Sequence, residues 1–359
     1  MTNIWDSYPK NYRQREVKMI LNATRGGESV SLIGLSGAGK SNLMGYIAHT
    51  QGTPTHPFVL VDFNRLTRRA PSAFFNLMRQ ALTDSADAPD ELDALHAAIQ
   101  KCLHDAERLT LLLDLSLLLN RGVMFGETDL LLFNNLRALR DAHKFKLTFV
   151  VATRHSLPSN NEFAELFHAN TIYLGALSES DAIWNVKRYA ERKELRWDDK
   201  VVAQLINISR GYPSFLRAAC EAYSSGASLE SIPNHPAVQS RLDEFWNDNP
   251  TDDELRLSRL TDHPLLKRTN RHTFDTRTLT AKENLLLDYF TAHADQVCEK
   301  DDLIRAVWME DKVFERGVRD DSLAQLVRRL REKIEPDPSN PKHIHTVAGR
   351  GYRFTNEQE

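Results

Sequence analysis

An α/β fold, with a parallel sheet leading into a helical subdomain and then a small α+β unit, is the class that this 359-residue chain predicts. Three observations carry that expectation. Short strand patterns alternate with helical ones through the first half, strand patterns then stop, and the C-terminal stretch reads as three helices and a hairpin. The composition, 41% apolar and 26% charged, is that of folded domains rather than a disordered or fibrous chain. At about 100 to 200 residues per domain, two or three are expected.

The elements follow in order. Apolar residues recur at helical spacing from Tyr12 to Thr24 until Gly26 and Gly27 interrupt them, and Ser29 to Ile33 reads as a short buried strand. Further strand runs fall at Phe58 to Phe63, Leu109 to Leu115, Lys146 to Ala152 and Thr171 to Leu174, with helical patterns such as Ser72 to Leu82 and Asp129 to Ala142 between them. Residues 1–175 thus make the sheet domain. Helical patterns through Ser180 to Arg192, Asp198 to Ser209 and Pro213 to Ser224 give a helical subdomain over 176–226. Residues 227–277 are more polar and contain Pro233, Pro236, Pro250 and Pro264, so they read as a flexible connector with short helices. The last unit, 278–359, opens with Thr280-Ala281-Lys282-Glu283, a capping box ahead of Leu285, Leu286, Leu287 and Phe290.

Several classes are excluded by pattern. No run approaches the roughly 18 apolar residues of a membrane helix, and Met1 to Lys10 lacks the basic-then-apolar order of a signal peptide, so a cytoplasmic protein without membrane contact is expected. Cys102, Cys220 and Cys298 are too scattered for a disulfide framework or a metal site. The histidines form no H-E-x-x-H pair, and no serine sits in a nucleophile elbow.

Chemistry enters at Gly34-Leu35-Ser36-Gly37-Ala38-Gly39-Lys40-Ser41, which fits the phosphate-binding P-loop pattern G-x-x-x-x-G-K-[ST] between a strand and a helix. Glycines let the backbone wrap closely so that its amides point at phosphate oxygens, and the helix from Lys40 to Ala48 presents the positive end of its dipole. Gly34, Ser36, Gly37, Ala38, Gly39, Lys40, Ser41 and the following Asn42 are therefore the expected nucleotide contacts. Lys40 reaches the terminal phosphates and the Ser41 hydroxyl ligates Mg²⁺. The other side of the metal calls for an acid at the end of a buried strand, and Leu111-Leu112-Leu113-Asp114 supplies one, with capping of the next segment as the plainer role for Asp114. ATP or ADP with Mg²⁺ is the expected cofactor. Many hydrolysing P-loop enzymes place a second acid directly after the first to orient water. Leu115 and Ser116 stand there instead, so nucleotide binding is better supported than fast hydrolysis.

With these residues in hand the chain resembles a known family. The helix carrying Tyr12, Arg13 and Glu16, the strand ending Val150-Val151-Ala152-Thr153-Arg154, and Gly211-Tyr212-Pro213 within Ile208 to Ala218 are similar to the signal-transduction ATPases with numerous domains (STAND). These are AAA-like regulatory switches, and the resemblance covers roughly residues 10 to 225. It implies a P-loop NTPase parallel sheet with a helical lid subdomain. It also implies that Arg154 senses the γ-phosphate and joins Lys40 and Asp114 as a catalytic group, that Pro213 packs on adenine, and that Arg13 belongs to the nucleotide site. Outside that resemblance, Arg154 reads as a surface arginine at a strand end and Gly211-Tyr212-Pro213 as an interhelical turn. A nucleotide clamped between sheet and lid would couple phosphate state to their relative angle.

In the last unit, Asp320-Asp321-Ser322 reads as an N-cap for a helix with Leu323, Leu326, Val327, Leu330 and Ile334 on one face and Gln325, Arg328, Arg329 and Arg331 on the other. A proline-rich turn from Pro336 to Pro341 follows. Ile344 to Val347 then pairs with Gly351 to Phe354 around Gly349-Arg350, as a helix for the major groove and a β-wing tipped by arginine. From Leu279 to Phe354 the chain resembles the winged-helix output domain of OmpR-class response regulators. The residues that carry this are Leu279 to Glu283, Asp302-Leu303 to Trp308, Val327 to Glu335, and Ile344 with Thr346 to Phe354. The resemblance implies that Gln325, Arg328 and Arg329 face bases or phosphates, that Arg350 reaches the minor groove, and that Tyr352 and Arg353 support the backbone contact. Only His272 to Leu279 could supply that family's N-terminal strands. From Thr278 onward there are 13 Lys or Arg against 16 Asp or Glu, so the unit is not basic overall, and a protein-binding winged helix is the alternative.

Together these features predict an ATP-regulated switch, acting as a transcriptional regulator, whose nucleotide state gates double-stranded DNA binding or homo-oligomerisation. An initiator-like or defence-related assembly ATPase is the second reading, and an ATP-driven enzyme the third.

Overall fold

The computed structural model describes residues 3–66, 70–83, 91–116, 127–156, 170–266, 279–293, 295–308, 320–335 and 337–355. The chain divides into two compact units, Met1–Lys267 and Arg268–Glu359.

In the first unit the strands β1 (Val30–Ile33), β2 (Phe58–Asp62), β3 (Leu109–Asp114), β4 (Leu147–Thr153) and β5 (Thr171–Tyr173) form one parallel sheet in the order β2-β3-β4-β1-β5. Each lies on a run read from the sequence. Side chains on a strand alternate between faces, and this sorts the leucine run of β3. Leu109, Leu111 and Leu113 join Phe149 and Val151 in one core, whereas Leu112 joins Val150 and Ala152 in the other. The first of these cores is closed by α3 (Pro71–Leu82), α4 (Glu91–Asp105) and α5 (Glu127–Ala142) through Phe74, Met78, Leu95, Ile99, Phe133 and Leu136. The helix α4 was not among the patterns read from sequence. The second core is closed by α1 (Gln14–Arg25) and α2 (Lys40–Thr50), and it runs on without a break into the helical lid: α6 (Glu179–Arg192), α7 (Asp199–Ser209) and α8 (Pro213–Ser224).

Residues 227–266, expected as a flexible connector, belong to this same core. Here α9 (Pro236–Asn247) and α10 (Asp252–Leu257) are flanked by short 3-10 turns at Ile232–Asn234 and Pro264–Leu266. Ile232, Val238, Leu242, Phe245, Leu260 and Leu266 are all buried in it. The prolines mislead because of where they sit. Pro236 occupies the first turn of α9, where its missing N–H is no loss, and the His235 ring caps that helix by accepting from the Ala237 amide at 3.2 Å. Polarity misleads for a different reason, since residues such as Ser240, Arg241, Asp243 and Asp253 lie on the outer helical faces while Glu254, Ser258 and His263 are buried.

The second unit contains α11 (Ala281–Ala292), β6 (Val297–Glu299), α12 (Lys300–Val307), α13 (Asp320–Ile334), β7 (Ile344–Val347) and β8 (Gly351–Phe354). Its core gathers Leu286, Leu287, Phe290, Leu303, Leu323, Val327, Leu330 and Phe354. The expected hairpin forms, with Ile344 opposite Phe354 and Val347 opposite Gly351. The strand β6 was not foreseen; it pairs with the far edge of β8 to give the order β6-β8-β7. A side chain at Gly351 would forbid that pairing, because its Cβ would lie 2.0 Å from the Cys298 carbonyl. The Thr280 to Glu283 box forms as expected, with the Thr280 amide donating to Glu283 Oε2 at 2.7 Å. The strands expected over His272 to Leu279 fall, apart from Leu279, outside the described residues. The N-cap expected at Asp320 to Ser322 instead starts α13, and the residues before Asp320 are outside the described set.

Phe245 gives a direct measure of how residues 227–266 are held. It is 1% exposed and packs at 5.8 Å on Tyr212 and 5.7 Å on Phe215. Phe245→Ala should lower the stability of the first unit by about 3 to 5 kcal/mol, read by calorimetry, with the second unit's transition unmoved. A loss below about 1 kcal/mol, as for an exposed connector residue, would contradict this packing.

Candidate functional site

Strand register brings the chemistry to one edge of the sheet. Ile33 lies opposite Thr153 and Tyr173, Asp62 opposite Asp114, and Asp114 opposite Ala152, so the P-loop, Asp114 and Arg154 all leave from the carboxyl ends of strands. That edge is where open α/β sheets bind ligands. Gly37 and Gly39 have φ of 77° and 87°, a left-handed conformation costly for other residues. Gly37 is doubly constrained, since a Cβ there would lie 2.1 Å from Ser214 Oγ of the lid. Gly39 is the N-cap of α2, and no side chain caps that helix. Its terminal amides therefore point into the cleft without a side-chain partner.

Lys40 is 6% exposed. Its ammonium donates to the carbonyls of Gly34 and Leu35. Burial pulls its pKa down to about 8; Asp114 and, less strongly, Asp248 act to raise it, and Arg154 to lower it. The Ser41 hydroxyl donates to Asp114 Oδ2 at 2.5 Å, and Asp114 Oδ1 accepts the Ser116 amide at 3.1 Å. Asp114 thus lies within hydrogen-bonding reach of the P-loop hydroxyl and also takes the plainer capping role. An oxygen pair of this kind suits Mg²⁺, while among the described residues no His, Cys, Asp or Glu cluster could hold a metal unaided.

A cavity of about 640 Å³ opens in front of the loop, walled by Ser36, Gly37, Gly39 and Lys40 to Asn42 on one side and Pro213, Ser214 and Leu216 of the lid on the other. A Cβ on Gly39 would sit 3.7 Å from the Pro213 ring, so the expected adenine-side proline lies directly beside the phosphate loop. The Tyr212 hydroxyl donates to the Ser36 carbonyl at 2.7 Å and pins lid to loop. The N-terminal segment supplies Tyr8 and Tyr12 to the cavity, and both hydroxyls meet the Asn42 amide, at 2.8 and 3.4 Å.

Three expected contacts are placed differently. Arg13 does not line the cleft. It is 2% exposed behind the loop, and its guanidinium donates to the carbonyls of Ala38 at 2.9 Å, Gly175 at 3.0 Å and Ala176 at 3.4 Å. It braces the loop against the start of the lid. Ala38 is fully buried, with its amide turned inward to the Leu35 carbonyl. Tyr352 in the second unit is 8% exposed and packs in the core with Phe354, on the face of β8 opposite the exposed Arg353.

Other residues of the cleft were missed. Arg154 lines the cleft and pairs there with Asp248 at the end of α9. Ser36 donates to Glu244 Oε1 at 3.1 Å. Beside them, His155 and the Ser156 amide bond Glu254 at 3.2 Å. Burial works to raise the Glu254 pKa, but hydrogen bonds from His155, Thr251 and Ser156 outweigh it and hold the carboxyl at about 2. All these acids come from the stretch read as a connector, and a pair such as Glu244 and Asp248 at helical spacing was their only sequence signal.

In the second unit Gln325, Arg328, Arg329 and Arg353 are exposed. Arg350 at the wing tip is exposed and pairs with Glu299 at 2.7 Å. Arg331 is held back: it donates to the Ile344 carbonyl at 2.6 Å and lies over the Tyr352 ring, fastening α13 to the wing.

Residues 275–354 match the family described as "Transcriptional regulatory protein, C terminal". Curated relatives include the transcriptional regulatory protein YvrH of Bacillus subtilis, 44% identical over 69 residues that make up 19% of this chain and 27% of that protein. Another is the sensory transduction protein RegX3 of Mycobacterium tuberculosis H37Rv, 42% identical over 80 residues, 22% of this chain and 34% of that one. The chain thus spans about a third or less of these relatives. Among solved structures, the Walker-type ATPase paby2304 of Pyrococcus abyssi is 12% identical with a TM-score of 0.47, covering 98% of this chain and 97% of its own. The ORC2 protein of Aeropyrum pernix is 13% identical with a TM-score of 0.46, covering 96% and 88%. The second unit is an OmpR-type winged helix domain, and the first, by its sheet order and loop, has a P-loop ATPase-like fold.

The Glu254 cluster makes a prediction about acid stability. Its carboxyl titrates at about 2 in the folded protein against 4.5 for an ordinary glutamate, so its contribution is complete above about pH 4.5 and is lost as pH falls toward 2. The full shift corresponds to about 3 kcal/mol. Glu254→Gln should therefore lower stability at neutral pH and flatten its dependence between pH 4.5 and 2, as followed by urea unfolding. An unchanged slope would remove the role assigned to these bonds.

Proposed function

We propose that this protein is an ATP-binding transcriptional regulator of the STAND type, in which the phosphate state of the first unit controls DNA binding by the winged helix, directly or through oligomerisation. The observation that carries the reading is Lys40, a buried ammonium at an uncapped helix N-terminus on the wall that the lid closes. A phosphate would supply the anionic partner it lacks there.

Each residue has a part. Lys40 and the loop amides would hold the terminal phosphates, Ser41 and Asp114 would hold Mg²⁺ through oxygen, and Arg154 would sense the γ-phosphate. Pro213, with Tyr8 and Tyr12 nearby, suits the base. When bound, Mg²⁺ would neutralise phosphate charge. The position after Asp114 is the buried Leu115, turned into the core, which supports a slow switch rather than a fast enzyme. In the winged helix, Gln325, Arg328 and Arg329 are the residues for base and phosphate contact, with Arg350 and Arg353 on the wing.

Two experiments test this. With salt fixed, wild type, Lys40→Ala and Asp114→Ala are compared for binding to an operator selected from random DNA, with ATP, ADP or neither. The wild type should respond to nucleotide and the variants should not; equal DNA affinity in every state would end the proposal. Enrichment of one motif supports a regulator, whereas shallow binding with no motif supports the assembly-ATPase reading. Arg328→Ala or Arg329→Ala should each reduce the salt slope by about one.

The second concerns pH. Phosphate requires charged Lys40 and would raise its pKa, so binding takes up a proton once pH exceeds the folded value of about 8. ATP affinity should be flat below that pH and then weaken by up to roughly tenfold per pH unit. Calorimetry in buffers of different ionisation enthalpy would show proton uptake at pH 9, and its absence would contradict this role for Lys40.

A further inference from the structure

We infer that the C-terminal end of α9 is an acid latch, in which Glu244 and Asp248 occupy the partners that a terminal phosphate would use, so that nucleotide binding must displace them. The inference rests on the nucleotide reading above and assigns a regulatory element to that site.

The two carboxylates stand four residues apart and so share one helical face. Each goes to a different part of the phosphate site. Glu244 accepts from Ser36 inside the P-loop at 3.1 Å, with Arg241 on its other oxygen at 2.6 Å. Asp248 pairs with Arg154, and both side chains are largely buried, at 8% and 13% exposure. Carboxylate and phosphate present the same chemistry to an arginine, anionic oxygens for a planar fork. The low-exposure setting then makes the choice exclusive: a phosphate drawn to Lys40 and Arg154 would face the Asp248 carboxylate, and like charges at such range repel strongly where water is scarce.

The latch is also weakly fastened. One oxygen of Asp248 is buried without a hydrogen-bond partner among the described residues, so the pair leaves acceptor capacity unmet, and a phosphate with three terminal oxygens can offer Arg154 more. The rest of α9 is held independently by Val238, Leu242 and Phe245 in the core. Displacement would therefore tilt or fray the acid end rather than detach the helix. Among the described residues α9 and α10 are the last α-helices of the first unit, so this stretch of chain precedes the winged helix in sequence.

The test uses the full-length protein with Glu244→Gln, Asp248→Asn and the double variant. ATP and ADP affinities with Mg²⁺ are measured by calorimetry, and hydrogen exchange is followed over residues 236–248. If the latch is closed in about nine molecules in ten, its removal should tighten ATP binding by roughly tenfold, because apparent affinity scales with the open fraction. ADP, which lacks the competing phosphate, should gain less. In wild type, ATP should accelerate exchange at the end of α9, and the double variant should exchange fast there without nucleotide. Unchanged or weaker ATP binding in the variants, or α9 exchange in wild type that ignores ATP, overturns the latch while leaving the nucleotide reading intact. Failure of wild type and variants alike to bind ATP overturns both. Should the double variant not fold, Glu244→Gln, at a half-exposed position, carries the same comparison.

Discussion

A buried cation, with no carboxylate in direct contact among the described residues, organises the first unit. Lys40 lies inside the P-loop with carbonyl oxygens as its hydrogen-bond partners, and a charge removed from water is costly unless something compensates it. Everything placed around it bears on that cost. Asp114 supplies negative charge from the adjoining strand end, Asp248 supplies more from α9, and Arg154 opposes them. The loop can hold this arrangement only because its backbone is fixed from three sides: Gly37 and Gly39 take left-handed conformations, Arg13 braces the Ala38 carbonyl from behind, and Tyr212 and Ser214 of the lid bond the carbonyls of Ser36 and Gly37 from in front.

That bracing gives residues 227–266 their importance. A stretch that composition marks as linker holds the lid core together through Phe245 and reaches the sheet edge at three consecutive residues, Arg154, His155 and Ser156. It does so with acids whose charge is fixed by their partners. Glu254 is the clearest case, ionised despite burial because three donors converge on it. Sheet edge, lid and α9 are therefore one connected arrangement of hydrogen bonds and ion pairs, in which a change at the phosphate loop has a short physical path to the end of the unit.

The second unit shows how a domain with more acids than bases can still present a basic surface. Arg328 and Arg329 project from one face of α13 while Leu326, Val327 and Leu330 fill the core from the other. Arg331, next in sequence, is diverted to the Ile344 carbonyl and cannot be counted with them. The surface is also tempered, since Arg328 pairs with Glu332 and Arg350 with Glu299. Such exposed pairs are weak and screened by salt, so they reduce the local potential without closing the face.

The sequence by itself determined the elements and the loop. All five strands of the first sheet, the three lid helices and the hairpin of the wing are carried by periodicity, and the P-loop by a motif in which each residue type has a mechanical reason. These are local properties, encoded within a few residues of where they act. What the tertiary structure decided was non-local. It sent Leu112 to one core and its neighbours to the other, added β6 because Gly351 lets a distant strand approach, and turned Tyr352 inward. It also moved Arg13 behind the loop and brought Glu244 to Ser36, 208 residues away in sequence, and Asp248 to Arg154, 94 residues away. None of these follows from spacing along the chain, because each depends on which surfaces meet after the apolar faces are buried.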